Sequence, residues 1–278
     1  MNSTIYSDLH QNAIRFSAYR NYQGHTHFEE VAAKYVLSGR ETYYIHGRKY
    51  VVNEGEYVIG SGLQHADVTI ETETVGICVD ISIALMEDIA QHHPNAVAPR
   101  KPLSEYLLVN KYNRRNSLLG GRLHDLATGI SHFGANQFTC TEALLHRLGE
   151  SILFDQLAIS GQLAQLPFKK KISAEEVFRK LHTVKSYIDD CFLEDVDTDT
   201  LCAMACMSKY AFVRHFREAF GTPPYRYLLQ RRLEHACGLL RRGVSVQDVA
   251  HMVRFADTPS FTKAFKARHG VAPSCFRK

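Results

Sequence analysis

Residues 208–227 and 257–276 repeat with an offset of 49, and each copy sets basic and hydroxyl side chains opposite aromatic ones at helical spacing. Phe212 matches Phe261, Phe216 matches Phe265, Gly221 matches Gly270, Pro224 matches Pro273 and Tyr227 matches Phe276, while Arg214 and Arg217 match Lys263 and Lys266. Side chains three and four apart share a helix face. Phe212, Phe216 and Ala219 therefore form a core stripe, and Tyr210, Val213, Arg214 and Arg217 form an exposed one with Lys209 beside it. In the second copy Phe261 and Phe265 face inward, and Thr258, Pro259, Thr262, Lys263 and Lys266 lie on the other side. Such a face can recognise duplex DNA. Its cations donate to phosphate oxygens and guanine edges, and a helix fits the major groove. Lys209 and Arg217, at the flanks, are placed for the backbone, and Tyr210 and Arg214 are open to either the backbone or a base edge.

A second group of chemically capable residues lies near the N-terminus. His25 and His27 stand at i and i+2, so on a strand they share a face, while Tyr44 falls in a predicted strand and His65 just before another. These four are expected to line or flank a small-molecule pocket. No nucleophile elbow, phosphate loop or comparable motif occurs, so the sequence does not read as an enzyme.

The elements that must position these residues differ between the two halves. Thr42–Ile45 and Lys49–Val52 are β-branched and aromatic runs around His46, Gly47 and Arg48, a hairpin pattern. Tyr57–Ile59, Val68–Ile70 and Val75–Ile81 continue the strand signal, which suggests a sandwich or small barrel over the first 80 or so residues. From Ile83 the period becomes helical, over Ile83–His92, Ser117–Thr128 and Thr141–Ile159. Pro167 and the run Lys169–Lys171 mark a boundary, beyond which everything reads as helix. In each repeat a helix start is followed by a glycine stop. Ser208 can cap the first helix, Thr258 with Pro259 is expected to start the second, and Gly221 and Gly270 suit left-handed C-caps. Ser245 and Asp248 form a capping-box-like start upstream of the second repeat.

The net charge of +4 conceals where the charge sits. Residues 1–171 carry a net −1 and residues 172–204 a net −5, whereas residues 205–278 hold 14 basic and 4 acidic side chains, a net +10. A compact segment with that excess suits a polyanionic partner. The seven cysteines show no C-x-x-C pair and read as small buried thiols of a reducing compartment. No run of about 18 apolar residues is present, and Met1–Phe16 is polar where a signal peptide would be apolar. The expected location is the cytoplasm.

The segment from Asp197 to Lys278 resembles the AraC/XylS transcription regulators. The residues that carry the resemblance begin with Cys206-Met-Ser208-Lys-Tyr-Ala-Phe212-Val-Arg214-His-Phe216 and Phe220-Gly221-Thr-Pro-Pro-Tyr-Arg-Tyr227. Arg232-Leu233, Ala236 and Leu239-Leu240 follow in the connecting helix, then Val249-Ala250 and Phe255-Ala-Asp257. Ser260-Phe261-Thr-Lys-Ala-Phe265-Lys266, Gly270 and Pro273-Ser-Cys-Phe276-Arg277 complete the set. The resemblance implies two helix-turn-helix units joined by one long helix, about Pro223–Arg241. Three positions depart from it. Cys202 replaces a small alanine, Thr198 replaces a leucine, and Arg254 replaces the glycine usual before Phe255. A left-handed backbone at Arg254 would cost about 1 kcal/mol, and a phosphate contact is one role open to its side chain.

Gly24-His-Thr-His27, Gly39, Gly55-Glu-Tyr-Val-Ile59 and Gly62-Leu-Gln-His65 resemble the two cupin motifs that begin many such regulators. Metal-binding cupins add a carboxylate to three histidines. Glu29 and Glu30 are nearby, but the family spacing wants the acid at about Val31 or Ala32, neither of which can ligate, and His65 lacks the usual proline. No metal or cofactor is therefore expected. None of the cysteines has the Pro-Cys-His neighbourhood of the alkyl-transfer repair proteins that share this helical domain, and a purely architectural DNA binder would not need the N-terminal half.

The fold expected is α+β: a cupin-like β-barrel with flanking helices, then an all-α domain with two helix-turn-helix units joined by a long helix. Residues 1–166 form the sensor and dimerisation domain, 167–171 the linker and 172–278 the DNA-binding domain. The function expected is sequence-specific transcription regulation, with an activator's partners: double-stranded DNA, RNA polymerase, a second copy of the chain and a small-molecule effector or partner protein. The alternatives are a cupin-type metalloenzyme fused to a DNA-binding module and a regulator independent of any ligand.

Overall fold

The computed structural model describes residues 2–28, 30–92, 107–134 and 141–276. Two units, Met1–Gly161 and Gln162–Lys278, divide the chain.

The first unit opens with nine strands: β1 (Asn2–Ser7), β2 (Ala13–Tyr19), β3 (Tyr22–Phe28), β4 (Val31–Ser38), β5 (Arg40–Ile45), β6 (Arg48–Asn53), β7 (Glu56–Gly60), β8 (Leu63–Ile70) and β9 (Thr74–Ile81). Helix α1 (Ile83–His92), strand β10 (Asn110–Asn113) and helices α2 (Leu118–Phe133) and α3 (Glu142–Ala164) follow. The expected hairpin is β5–β6. His46 and Gly47 both take left-handed backbone, with φ of 49° and 73°, which matches the twist of the flanking strands. β10 was not visible as a strand in the sequence because Asn110–Asn113 is a short polar run, and its pairing with β7 decides it.

The strands form two antiparallel sheets, one in the order β1-β2-β9-β4-β7-β10 and one in the order β3-β8-β5-β6. Apolar side chains from both sheets share a single core, including Phe28, Val36, Tyr43, Val52, Val58 and Val68. Register assigns the faces of the larger sheet. Arg15 and Lys34 both pair with Cys78, so these three lie side by side on one face. The other face lies under the helices, where the Tyr35 hydroxyl meets His124 Nδ1 of α2 at 2.8 Å and the Tyr57 hydroxyl donates to Ser117 Oγ at 3.0 Å. Gly149 allows α3 close to α1, since a Cβ there would lie 2.4 Å from Ile89 Cδ1. The first turn of α2 is capped by Asp155 of α3, whose carboxylate accepts from the amides of Leu118 and Leu119 at 3.1 and 3.0 Å.

The second unit is helical: α4 (Lys171–Cys191), α5 (Thr198–Ala205), α6 (Lys209–Phe220), α7 (Pro224–Arg241), α8 (Val246–Met252), α9 (Thr258–His269) and a final 3-10 turn, Pro273–Phe276. Residues 167–170 of the expected linker lie between α3 and α4, and the division between units falls a few residues earlier. It falls at Gly161, within α3, which runs past Ile159 because nothing breaks the helix before Pro167, and Lys171 already opens α4. No helix among the described residues is long and apolar enough to cross a membrane.

Candidate nucleic-acid interface and N-terminal cavity

Each repeat folds as a short helix, a tight turn and a longer helix, and local chemistry fixes the joints. Asp197 caps α5, accepting from the Thr200 amide at 2.8 Å. Cys206 then takes left-handed backbone (φ 51°) and turns the chain into α6. Ser208 caps α6 through the Ala211 amide at 3.4 Å, and Gly221 stops it at φ 73°. In the second repeat Ser245 Oγ accepts from the Asp248 amide at 3.1 Å and starts α8. Thr258 is not the cap of α9. Asp257 takes that position, accepting from the Ser260 amide at 2.6 Å, and Thr258 and Pro259 occupy the first helical turn. A carboxylate is the stronger acceptor for the orphan amides, and the donors at Ser260 hold the Asp257 carboxyl below its usual range.

The two turns differ in length. The left-handed residue lies two before the cap in the first unit, Cys206 before Ser208, and three before it in the second, Arg254 before Asp257. Arg254 has φ of 61°, so the sequence departure falls on the strained position. Its guanidinium is bound within the unit, Nε donating to the Leu193 carbonyl at 2.8 Å. The geometry favours this contact over the phosphate role considered above.

The core stripes are as the spacing implies. Phe212, Phe216, Phe261 and Phe265 are fully buried. Phe261 and Phe265 join Leu233, Ala236 and Leu240 of α7 in one cluster, so the connecting helix supplies a wall of the second unit. α7 is 18 residues, about 27 Å at 1.5 Å per residue.

On the outer face of α6, Lys209, Tyr210, Arg214 and Arg217 are exposed and Val213 is half-buried; on α9, Pro259, Lys263 and Lys266 are exposed and Thr258 and Thr262 half-buried. The five α6 residues border one surface concavity together with Glu218 and Pro223. The cations are not equivalent. Arg214 Nε donates to Glu218 Oε1 at 3.1 Å, and Lys209 Nζ stands 3.6 Å from Asp199. Although slight burial works against it, hydrogen bonds from His215 and Arg214 hold the Glu218 carboxyl below its usual range. Arg217, Lys263 and Lys266 make no ion pair among the described residues.

Part of the positive excess is spent inside the unit, which composition alone could not reveal. Arg232 donates to the carbonyls of Phe192 and Glu194 at 2.8 and 2.9 Å. Asp189, fully buried on α4, accepts from the Tyr227 hydroxyl at 2.6 Å and pairs with Lys185 at 3.0 Å and Arg231 at 2.8 Å. Glu234 extends this line to Arg268 of α9 at 3.7 Å. Arg277 of the quoted motif lies outside the described residues.

In the first unit no three potential metal ligands come together among the described residues. His25 and His27 are exposed, and His25 Nδ1 meets Asp67 at 2.7 Å on the outer side of the smaller sheet, with both side chains more than 60% exposed. Tyr44 stands on that same outer side beside Asp67, with Lys49 Nζ over its ring. Glu30 Oε2 accepts from the Ile83 amide at 2.6 Å. Glu29 and the His65 side chain lie outside the described residues.

A cavity of about 650 Å³ opens instead on the inner faces of the sheets, with His25 and His27 at its rim. Its polar residues escaped sequence reasoning. Lys34, set between apolar neighbours on β4, was the signal that could have found it. Lys34 Nζ reaches Cys78 Sγ at 3.3 Å, Arg15 pairs with Asp80, and the Tyr43 hydroxyl donates to the buried carboxyl of Glu41. Burial works against the Lys34 ammonium, yet Cys78, Asp80 and Glu41 outweigh it and raise its pKa above the usual lysine value. Burial pushes the Glu41 carboxyl up against the opposing pull of Tyr43 and Lys34, and it raises the Cys78 thiol as well.

Residues 201–278 match a family model described as a helix-turn-helix domain. The HTH-type transcriptional regulator GbdR of Pseudomonas aeruginosa is 23% identical over 167 residues, covering 53% of this chain and 45% of that protein. The chain thus matches less than half the length of that curated relative. Among solved structures, the DNA-binding domain of AdpA, described as a global transcriptional factor in complex with a target DNA, is 30% identical, covering 35% of this chain and 89% of that one, with a TM-score of 0.34. A transcriptional regulator from Chromobacterium violaceum, of the AraC-type DNA-binding domain-containing proteins, is 25% identical over 35% of this chain and 88% of its own, with a TM-score of 0.33. By its motifs and by the family model matched over residues 201–278, the C-terminal segment is an AraC-type helix-turn-helix domain.

Proposed function

We propose that the chain is a sequence-specific regulator of transcription that reads duplex DNA with α6 and α9 and is controlled through its N-terminal unit. The observation that carries this reading is the pair of exposed basic stripes, each on the second helix of a capped helix-turn-helix unit and each backed by two buried phenylalanines. Lys209, Arg217, Lys263 and Lys266 supply phosphate contacts; Tyr210, Val213, Arg214, Thr258, Pro259 and Thr262 face the grooves. Phosphate contacts set orientation and affinity, and base contacts set sequence choice.

The N-terminal unit is read as a cupin-like sensor. Two antiparallel sheets around a shared core and an open polar cavity support that reading. A small-molecule effector would occupy this cavity rather than the outer surface that carries Tyr44. The regulator is taken to act without catalysis, in the cytoplasm with its DNA, as a homodimer that recruits RNA polymerase.

Footprinting with the full chain on genomically mapped sites tests the reading. Each monomer is expected to protect two major-groove segments about one helical turn, roughly 34 Å, apart on one face of the duplex. Binding that ignores salt, or a single protected segment per monomer, would overturn the two-unit reading.

A further inference from the structure

Inside the N-terminal cavity two groups of opposite charge face each other across the gap between the sheets. Lys34 stands on β4 of the larger sheet, in the row Arg15–Cys78–Lys34 set by strand register. Glu41 stands on β5 of the smaller sheet, 6% exposed, beside Tyr43. They feel each other electrostatically, but no ion pair joins them. Each is under-used as a hydrogen-bonding group. The Lys34 ammonium has three donors, and among the described residues its one hydrogen-bond acceptor is a thiol, a weak one, with the Phe28 ring centroid 5.0 Å from Nζ. Among the described residues the Glu41 carboxyl accepts from the Tyr43 hydroxyl alone. Arg15 and Asp80, the remaining charged pair on this wall, already satisfy each other.

This arrangement constrains what fits. A buried charge without a partner is costly, whereas charge-assisted hydrogen bonds are the strong ones. A simple acid could meet Lys34 but would bring its carboxylate near Glu41 and Asp80. A simple amine could meet Glu41 but would face Lys34. A neutral polyol would leave both charges only partly compensated. A molecule with both charges compensates both walls and leaves the cavity's balance unchanged. Tyr19 and Tyr22, stacked with centroids 4.7 Å apart, also border the cavity, and aromatic faces favour a cation.

We propose that this cavity takes a small zwitterion of the free amino-acid type, with its carboxylate on the Lys34 ammonium and its ammonium on the Glu41 carboxylate. A volume of about 650 Å³ leaves room for a side chain against Val68 and Ile70, and lies within the usual range for small-ligand sites. The inference deepens the sensor reading and rests on it.

The test is calorimetric titration of the full chain, without DNA, with the proteinogenic L-amino acids. The tightest is then compared with its N-acetyl and carboxamide derivatives, with the matching simple carboxylic acid and with glucose. One free amino acid is expected to bind one-to-one, and either derivative to lose about tenfold or more. Lys34→Met should erase the preference for the free acid over the carboxamide, and Glu41→Gln the preference for the free amine over the N-acetyl form. The derivative comparison needs only the unaltered chain, so a poorly folding variant does not remove the test. No binding across the panel, tighter binding of the simple acid or glucose, or derivatives as good as the parent would overturn the proposal. Operator affinity is measured separately. If an amino acid binds but leaves DNA affinity unchanged, the sensor reading fails and this inference stands; if the simple acid binds and shifts DNA affinity, the inference fails and the sensor reading stands.

Discussion

Arg254 and Leu193 lie 61 residues apart, yet the guanidinium Nε of the first donates to the carbonyl of the second at 2.8 Å. This bond ties the turn of the second helix-turn-helix unit to the segment between α4 and α5, which Arg232 grips through the neighbouring carbonyls of Phe192 and Glu194. Arg254 is thus strained in its backbone and useful in its side chain. Arg254→Ala keeps the left-handed strain and loses the bond, whereas Arg254→Gly loses the bond but relieves about 1 kcal/mol of strain. The alanine variant is expected to be the less stable of the two in urea unfolding. Neither should change the salt dependence of DNA binding, and a slope reduced by about 1 would return Arg254 to the phosphate contacts.

The stripe on α6 separates affinity from specificity. Lys209→Ala and Arg217→Ala are expected to weaken binding to operator and random DNA alike, each lowering the salt slope by about 1. Arg214 is held by Glu218 at 3.1 Å, which fixes the direction of its guanidinium. Arg214→Ala should cost about 1–3 kcal/mol on the operator and little on random DNA. Competition assays at two salt concentrations distinguish the patterns, and equal losses on both DNAs would make Arg214 a phosphate contact.

Phe216→Ala provides the folding control. The side chain is fully buried and packs on Phe212, Phe220 and Tyr227. Its loss should cost about 3–5 kcal/mol and lower the melting temperature. DNA binding lost without a change in melting would contradict the assignment of this face to the core.

Asp189 gathers Lys185, Tyr227 and Arg231 in the wall between α4 and α7. Removing a buried acid strands its partners, so Asp189→Ala should destabilise the second unit by at least ~2 kcal/mol. Chemical denaturation of segment 162–278 is the measurement, and an unchanged midpoint would show the network to be dispensable.

Glu41 predicts a pH signature for the first unit. Burial raises its folded-state pKa, so the unfolded chain ionises first as pH rises. Below the ordinary glutamate range both states are protonated and nothing is lost. Through the window up to the raised value, folding carries a growing penalty that then stays constant. Glu41→Gln should therefore match the parent near pH 4 and melt higher than it at neutral pH. A difference independent of pH would mean that Glu41 is not the titrating group.

The sequence by itself determined the second unit almost completely. Its signals are local: phenylalanines at i and i+4, serine and aspartate caps, glycine stops and a repeat offset of 49. Helix faces follow from spacing within a few turns, so Lys209, Arg217, Lys263 and Lys266 could be placed outward without knowing what they pack beside. The hairpin β5–β6 was legible for the same reason. Tertiary structure decided what depends on partners distant in sequence. A strand's alternation cannot say which face meets a second sheet, and Tyr44 thus fell on the outer surface and His25 at the cavity rim, while Lys34, Glu41 and Asp80 fell inside. Strand β10 exists only because β7 offers it an edge. Arg231, Arg232 and Arg254 count toward the basic excess in composition, but only the fold, by bringing Asp189, Phe192, Leu193 and Glu194 within reach, gives them contacts inside the helical unit.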